Sequence, residues 1–78
     1  MNWLVKDKQL ETTLKFEDQT ELAQFVLELA KHSDTVNHHA DLFIRYNVLK
    51  ISITTHDSGG LTQKDFDLQK EIERIKKG

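Results

Sequence analysis

The sequence has no cysteine and no proline, only three glycines, and one tryptophan and one tyrosine. Without cysteine there can be no disulfide to supplement the core and no thiolate zinc site. Long apolar runs are missing too. The opening MNWLVKDKQL has too short an apolar stretch for a signal peptide, and no segment is apolar over the length a bilayer demands. Nor is there an excess of positive charge. Eleven Lys and Arg stand against thirteen Asp and Glu, interleaved along the chain, for a formal net charge of −2. Nucleic-acid binders usually present a basic patch, and the sequence has none. These absences point to a soluble cytoplasmic domain with no nucleic-acid or membrane partner.

A chain of 78 residues is a single domain, 1–78, with room for one core. At that size folding buries only about 60–65% of the surface the unfolded chain exposes, so stability is marginal. With disulfides excluded, self-association is the common remaining support, and a homo-oligomer is expected.

Residues 2–6 suggest a short strand with Trp3 and Val5 on one face. A polar turn over Lys6–Gln9 leads to Leu10, Thr12, Leu14 and Phe16, which alternate with Glu11, Thr13 and Lys15. That period of two marks a half-buried strand, hairpinned with the first. Asp18 is a good N-cap, and Glu21 completes the capping-box spacing for a helix. Leu22, Phe25, Val26 and Leu29 form its apolar stripe, with Ala23, Leu27 and Ala30 widening it. His32 then falls in the last turn as a structural or exposed residue, and Ser33–Ala40 reads as a polar connection.

Leu42–Tyr46 and Val48–His56 follow as paired strands about a turn at Asn47, with Leu49, Ile51 and Ile53 facing inward. Ser58-Gly59-Gly60 reads as a loop, after which Thr62 caps a second helix with Asp65 at the capping-box position. Leu61, Leu68, Ile72 and Ile75 lie within about 60° of one another on that helix, and Asp65 lies about 20° from Ile72, on the apolar side. Phe66 points away from the stripe and suits a subunit contact. The order β-β-α-β-β-α implies an α+β fold: a four-stranded antiparallel sheet with both helices on one face.

The chemistry concentrates in Asn37–Asp65, which holds three of the four histidines. A turn centred on Asn47 sets His38 opposite His56, and direct cross-strand neighbours lie about 5 Å apart. Histidine both gives and takes protons near neutral pH, so such a group offers an acid and a base. His38 and His39 diverge if the segment is extended. No HxH or HxxxH spacing occurs among them, so a three-histidine zinc site is disfavoured.

The same stretch resembles the pterin-4a-carbinolamine dehydratases, also called 4a-hydroxytetrahydrobiopterin dehydratases. Asp34 stands at the family's acidic position, followed after three spacers by His38-His39. Tyr46 fills the aromatic position, Thr55-His56 the Thr-His pair, and Gly60-Leu61-Thr62 with Asp65 the closing turn. Ala40 and Leu42 depart from the family's Pro and Trp. The resemblance implies dehydration of a 4a-hydroxytetrahydropterin to the quinonoid dihydropterin, in tetrahydropterin recycling, without metal or cofactor. It implies His38, His39 and His56 as catalytic, and Asp34, Thr55 and Asp65 as substrate-binding or orienting, with Asp65 aimed at His56. It further implies a homodimer or homotetramer. The alternative it carries is a non-catalytic dimerisation or interaction module on the same fold.

Overall fold

The computed structural model describes residues 1–55 and 59–77. Along the chain run β1 (Leu4–Lys6), β2 (Gln9–Lys15), α1 (Gln19–Val36), β3 (Asp41–Arg45), β4 (Val48–Ile53) and α2 (Gln63–Lys77). The strands form one antiparallel sheet in the order β1-β2-β4-β3. The architecture expected from the pattern is therefore the one found.

Alternation places each strand. Leu10, Thr12, Leu14 and Phe16 are buried, as are Leu49, Ile51 and Ile53 on the neighbouring strand. In register, Leu10 faces Ile53, Thr12 faces Ile51 and Leu14 faces Leu49, so these six share one sheet face. Leu22, Phe25 and Leu29 from α1 and Leu68 and Ile72 from α2 close the same core. Phe16 and Phe25 meet with ring centroids 5.4 Å apart. Trp3 lies partly buried against the core, and its Nε1 donates to Glu73 Oε2 at 3.1 Å, tying the N-terminal strand to α2.

Both hairpins turn tightly. Asp7 and Lys8 both have positive φ, which a type I′ two-residue turn requires. In the second hairpin Tyr46 takes the left-handed conformation. Asn47 is clamped to β2: its Nδ2 donates to the Phe16 carbonyl at 2.8 Å, and its own carbonyl accepts from Phe16 N–H at 2.9 Å.

Helix α1 departs from expectation at its far end and on its outer face. It continues through Ser33 to Val36 rather than giving way to a loop at Ser33. Ser33 is buried, one turn beyond Leu29, and so extends the inward stripe with a small polar residue. Thr35 Oγ1 donates back to the Lys31 carbonyl, keeping the last turn helical. His32 consequently sits a turn inside the end, its Nδ1 3.8 Å from Glu71 Oε2 on α2. Ala23, Leu27 and Ala30 do not widen the stripe; they are exposed, because α1 packs along a narrow line. At the N-terminus the expected cap is present: Asp18 accepts from Glu21 N–H at 2.8 Å.

Candidate active site

The site is built where the end of α1, the end of β4 and the start of α2 converge. Its centre is Asp65. The first turn of α2 needs acceptors for its free N–H groups, and Asp65 supplies one by accepting from Thr62 N–H at 2.8 Å. Helical phase then carries the carboxylate inward, where no part of it reaches solvent. Thr55 Oγ1 donates to the same oxygen, Oδ2, at 2.7 Å. Thr62 Oγ1 lies 2.9 Å from Thr55 Oγ1 and 3.4 Å from Oδ2, so its proton is better placed on the threonine oxygen. The other oxygen, Oδ1, meets His38 Nε2 at 2.7 Å.

Electrostatics follow from that geometry. Burial pushes the Asp65 carboxyl up. The donors from Thr55, the Thr62 backbone and His38 more than offset this, so the carboxyl titrates below its ordinary range. Asp65 is thus an ionised carboxylate, which can only accept. The proton between it and His38 therefore belongs to Nε2, and in the neutral imidazole Nδ1 carries the lone pair.

The end of α1 delivers His38 to this carboxylate. Asn37 takes the left-handed conformation, φ 55° and ψ 44°, that commonly ends helices. The N–H groups of Asn37 and His38 both donate to the Ser33 carbonyl, the latter at 3.1 Å. The chain thus leaves the helix with His38 turned under α2. Its neighbour goes elsewhere: His39 Nε2 lies 2.8 Å from Asp34 Oδ1, back on α1, and both side chains are exposed. The two adjacent histidines diverge, each on its own carboxylate.

The strand register differs by one residue from a turn centred on Asn47. Asp41 faces Ser52 and Arg45 faces Val48, because the reversal consumes Tyr46 and Asn47 together. Extended outward, this register sets His38 level with Thr55. Both His38 and Thr55 do reach Asp65. The expected partner of Asp65, His56, lies outside the described residues; among those described, His38 brings an imidazole to Asp65. β4 itself ends at Ile53, short of His56, and Thr55 forms an isolated bridge with Gly60. Of the six site residues read from the sequence, His38, Thr55 and Asp65 form one network, and His39 and Asp34 form a separate pair.

Three contributors escape the sequence pattern. Thr62 reads only as a cap, although its hydroxyl also joins the network. Ser33 and Asn37, which set the direction of His38, read as loop. Their signal is present in the sequence all the same: a serine on the stripe spacing and an Asn at a helix end, where left-handed residues concentrate.

The family model "Pterin 4 alpha carbinolamine dehydratase" matches residues 1–75. A protein of Trichormus variabilis named "Putative pterin-4-alpha-carbinolamine dehydratase" is 45% identical over 73 residues, covering 94% of this chain and 78% of the relative. A protein of the same name in Sulfolobus acidocaldarius is 37% identical over 73 residues, covering 94% of this chain and 80% of its own. Among solved structures, a Brucella melitensis protein described as a transcriptional coactivator/pterin dehydratase superposes with a TM-score of 0.90 at 24% identity, over 94% of this chain and 80% of that one. A pterin dehydratase-like protein described as a RuBisCO assembly factor in the alpha-carboxysome superposes at 0.77 with 12% identity, over 95% and 86%. At those identities the two structures speak to the fold.

Proposed function

The chain belongs to the pterin 4 alpha carbinolamine dehydratase family, and we propose that it dehydrates a 4a-hydroxytetrahydropterin to the quinonoid dihydropterin by histidine acid–base catalysis, in tetrahydropterin recycling. The substrate carries a hydroxyl on a ring carbon beside a ring nitrogen. The nitrogen lone pair expels the hydroxyl, so the protein need only protonate the leaving oxygen and take a proton from nitrogen. Positioned acid–base groups contribute about 10²–10⁴-fold, which suits a reaction already inclined to proceed.

One observation carries the reading: a buried, ionised Asp65 holds His38 with its proton on Nε2. That leaves Nδ1 with a lone pair, the form a general base requires. A solvated surface histidine needs no such arrangement. In this reading His38 and His56 carry the proton transfers, His39 helps hold the pterin, Asp34 orients His39 or the substrate, and Thr55 and Asp65 set His38. The reaction asks for no metal or cofactor. Exposed Phe43 and Ile44 on the edge strand β3, together with Phe66, favour a homodimer or homotetramer. No helix among the described residues is long and apolar enough to cross a membrane, and the reading places the protein in the cytoplasm.

The test is turnover of 4a-hydroxytetrahydropterin by wild type, His38→Ala and His56→Ala. Each substitution should lower the rate at least tenfold with the fold retained, and His38→Ala, which leaves the buried Asp65 carboxylate one donor short, should also lower the unfolding midpoint. Unchanged turnover removes the role of that histidine. Absence of activity in the wild type, with tight binding to a protein partner, would instead favour the non-catalytic interaction module.

A further inference from the structure

Thr62 stands immediately before α2, in the place of a helix cap, with Asp65 three residues on. In a complete capping box the cap hydroxyl accepts from the backbone N–H three residues later, and that residue's side chain accepts from the cap's own N–H. Only the second half is made here. Asp65 accepts from Thr62 N–H, but Asp65 N–H donates to the Thr62 carbonyl, at 3.0 Å. The Thr62 hydroxyl is therefore not spent on the helix start. It turns instead to Thr55 Oγ1, 2.9 Å away, just beyond the end of β4.

The carboxylate fixes the direction of that bond. Asp65 can only accept, so Thr55 gives its single proton to Oδ2, 2.7 Å away. The contact between the two threonines can then be made only with the Thr62 proton, Thr55 accepting. Every proton in the chain is thereby assigned: Thr62 donates to Thr55, Thr55 to Asp65 Oδ2, and His38 Nε2 to Oδ1. A hydroxyl that accepts one hydrogen bond donates a stronger one, by about 10–30%. With Thr62 on its lone pair, the Thr55 proton is also kept turned toward the carboxylate, and the carboxylate is kept in the plane on which His38 rests.

We infer that Thr62 is a positioning residue: through Thr55 and Asp65 its hydroxyl holds the His38 imidazole in place, with the proton on Nε2. Its value to catalysis rests on the dehydratase reading, whereas the holding is a property of the free protein.

Thr62→Val keeps the backbone N–H, the branched Cβ and nearly the same volume, and removes only the hydroxyl. Nitrogen-edited NMR of the free protein follows solvent exchange of the His38 Nε2 proton and of the amides in the first turn of α2. Thr62→Val should speed imidazole exchange about two- to fourfold, the worth of a fraction of one charge-assisted hydrogen bond. The first-turn amides should not change, because among the described residues the hydroxyl accepts from none of them. Thr62→Ser should behave as wild type. In a Thr55→Val background Thr62→Val should add nothing, since its route to the carboxylate is already cut. With 4a-hydroxytetrahydropterin, kcat should fall by the same factor while KM holds.

First-turn amides that speed up with the imidazole, Thr62→Ser matching Thr62→Val, or a full effect in the Thr55→Val background would overturn the proposal. So would a wild type with no protected imidazole proton. Turnover keeps the two readings apart. The expected exchange pattern without turnover would leave Thr62 its role and remove the dehydratase reading; turnover with no change in exchange would do the reverse.

Discussion

Replacing Asp65 by Asn changes one oxygen of a fully buried carboxylate into an amino group, and the network leaves two places to put it. Facing Thr55 and Thr62, the new donor would confront the Thr62 N–H, now 2.8 Å from Oδ2, and a backbone donor cannot reverse its polarity. A buried donor left unpaired costs about 1–3 kcal/mol. Facing His38, the amino group meets a partner that can adapt. The imidazole moves its proton to Nδ1 and accepts on Nε2, at the cost of exchanging a charge-assisted hydrogen bond for a neutral one. The second placement is cheaper. The Asp65→Asn variant should therefore keep the fold, lose about 1 kcal/mol of stability, and melt about 4–8 °C lower in a domain of this size. Function should suffer more. With Nδ1 protonated, His38 no longer offers its lone pair to the substrate, and the rate should fall by about 10²–10⁴. Denaturant titration measures the first effect, nitrogen NMR of the imidazole reports the tautomer, and turnover measures the third. Retention of the Nε2–H tautomer together with activity within about threefold of wild type, against the loss expected of a misplaced base, would refute the reasoning.

Three further outcomes follow from the same geometry. Asn37→Val places a β-branched residue in the left-handed conformation and should cost about 1–2 kcal/mol in denaturant unfolding, whereas Asn37→Gly should cost little. Because the Asp65 carboxyl titrates below its ordinary value of 3.8, the unfolded state binds the extra proton in the interval between. Its contribution is complete above about pH 5 and fades as pH falls through the folded value; Asp65→Asn should flatten that part of a stability–pH curve. Ile72→Ala removes a side chain with no exposed surface and should cost about 2–5 kcal/mol by chemical denaturation, a large share of the stability of a small domain.

Much of the fold is legible in the sequence because burial imposes period. Leu10 to Phe16 alternate since one sheet face is covered, and Leu68 and Ile72 recur at helical spacing because one side of α2 is. The inward phase of Asp65 is readable for the same reason. Its partner is not. That His38 comes to the carboxylate depends on where α1 ends and on the left-handed exit at Asn37, neither of which carries a periodic signal. The end of α1 misleads because Ser33 is polar, and a polar residue on an apolar stripe looks like a loop until its burial is known.

The hydrogen bonds onto Asp65 bind together three stretches far apart in sequence: the end of β4 through Thr55, the start of α2 through Thr62, and the exit from α1 through His38. A network stitched this way cannot be opened one thread at a time. If the first turn of α2 frays, Thr62 N–H and Asp65 leave together, and His38 is free to exchange its proton between nitrogens. On the proposed dehydratase reading, local fraying would therefore switch the site off well before the sheet melts. Amide exchange at Thr62 thus doubles as a clock for how often the network around Asp65 is momentarily open.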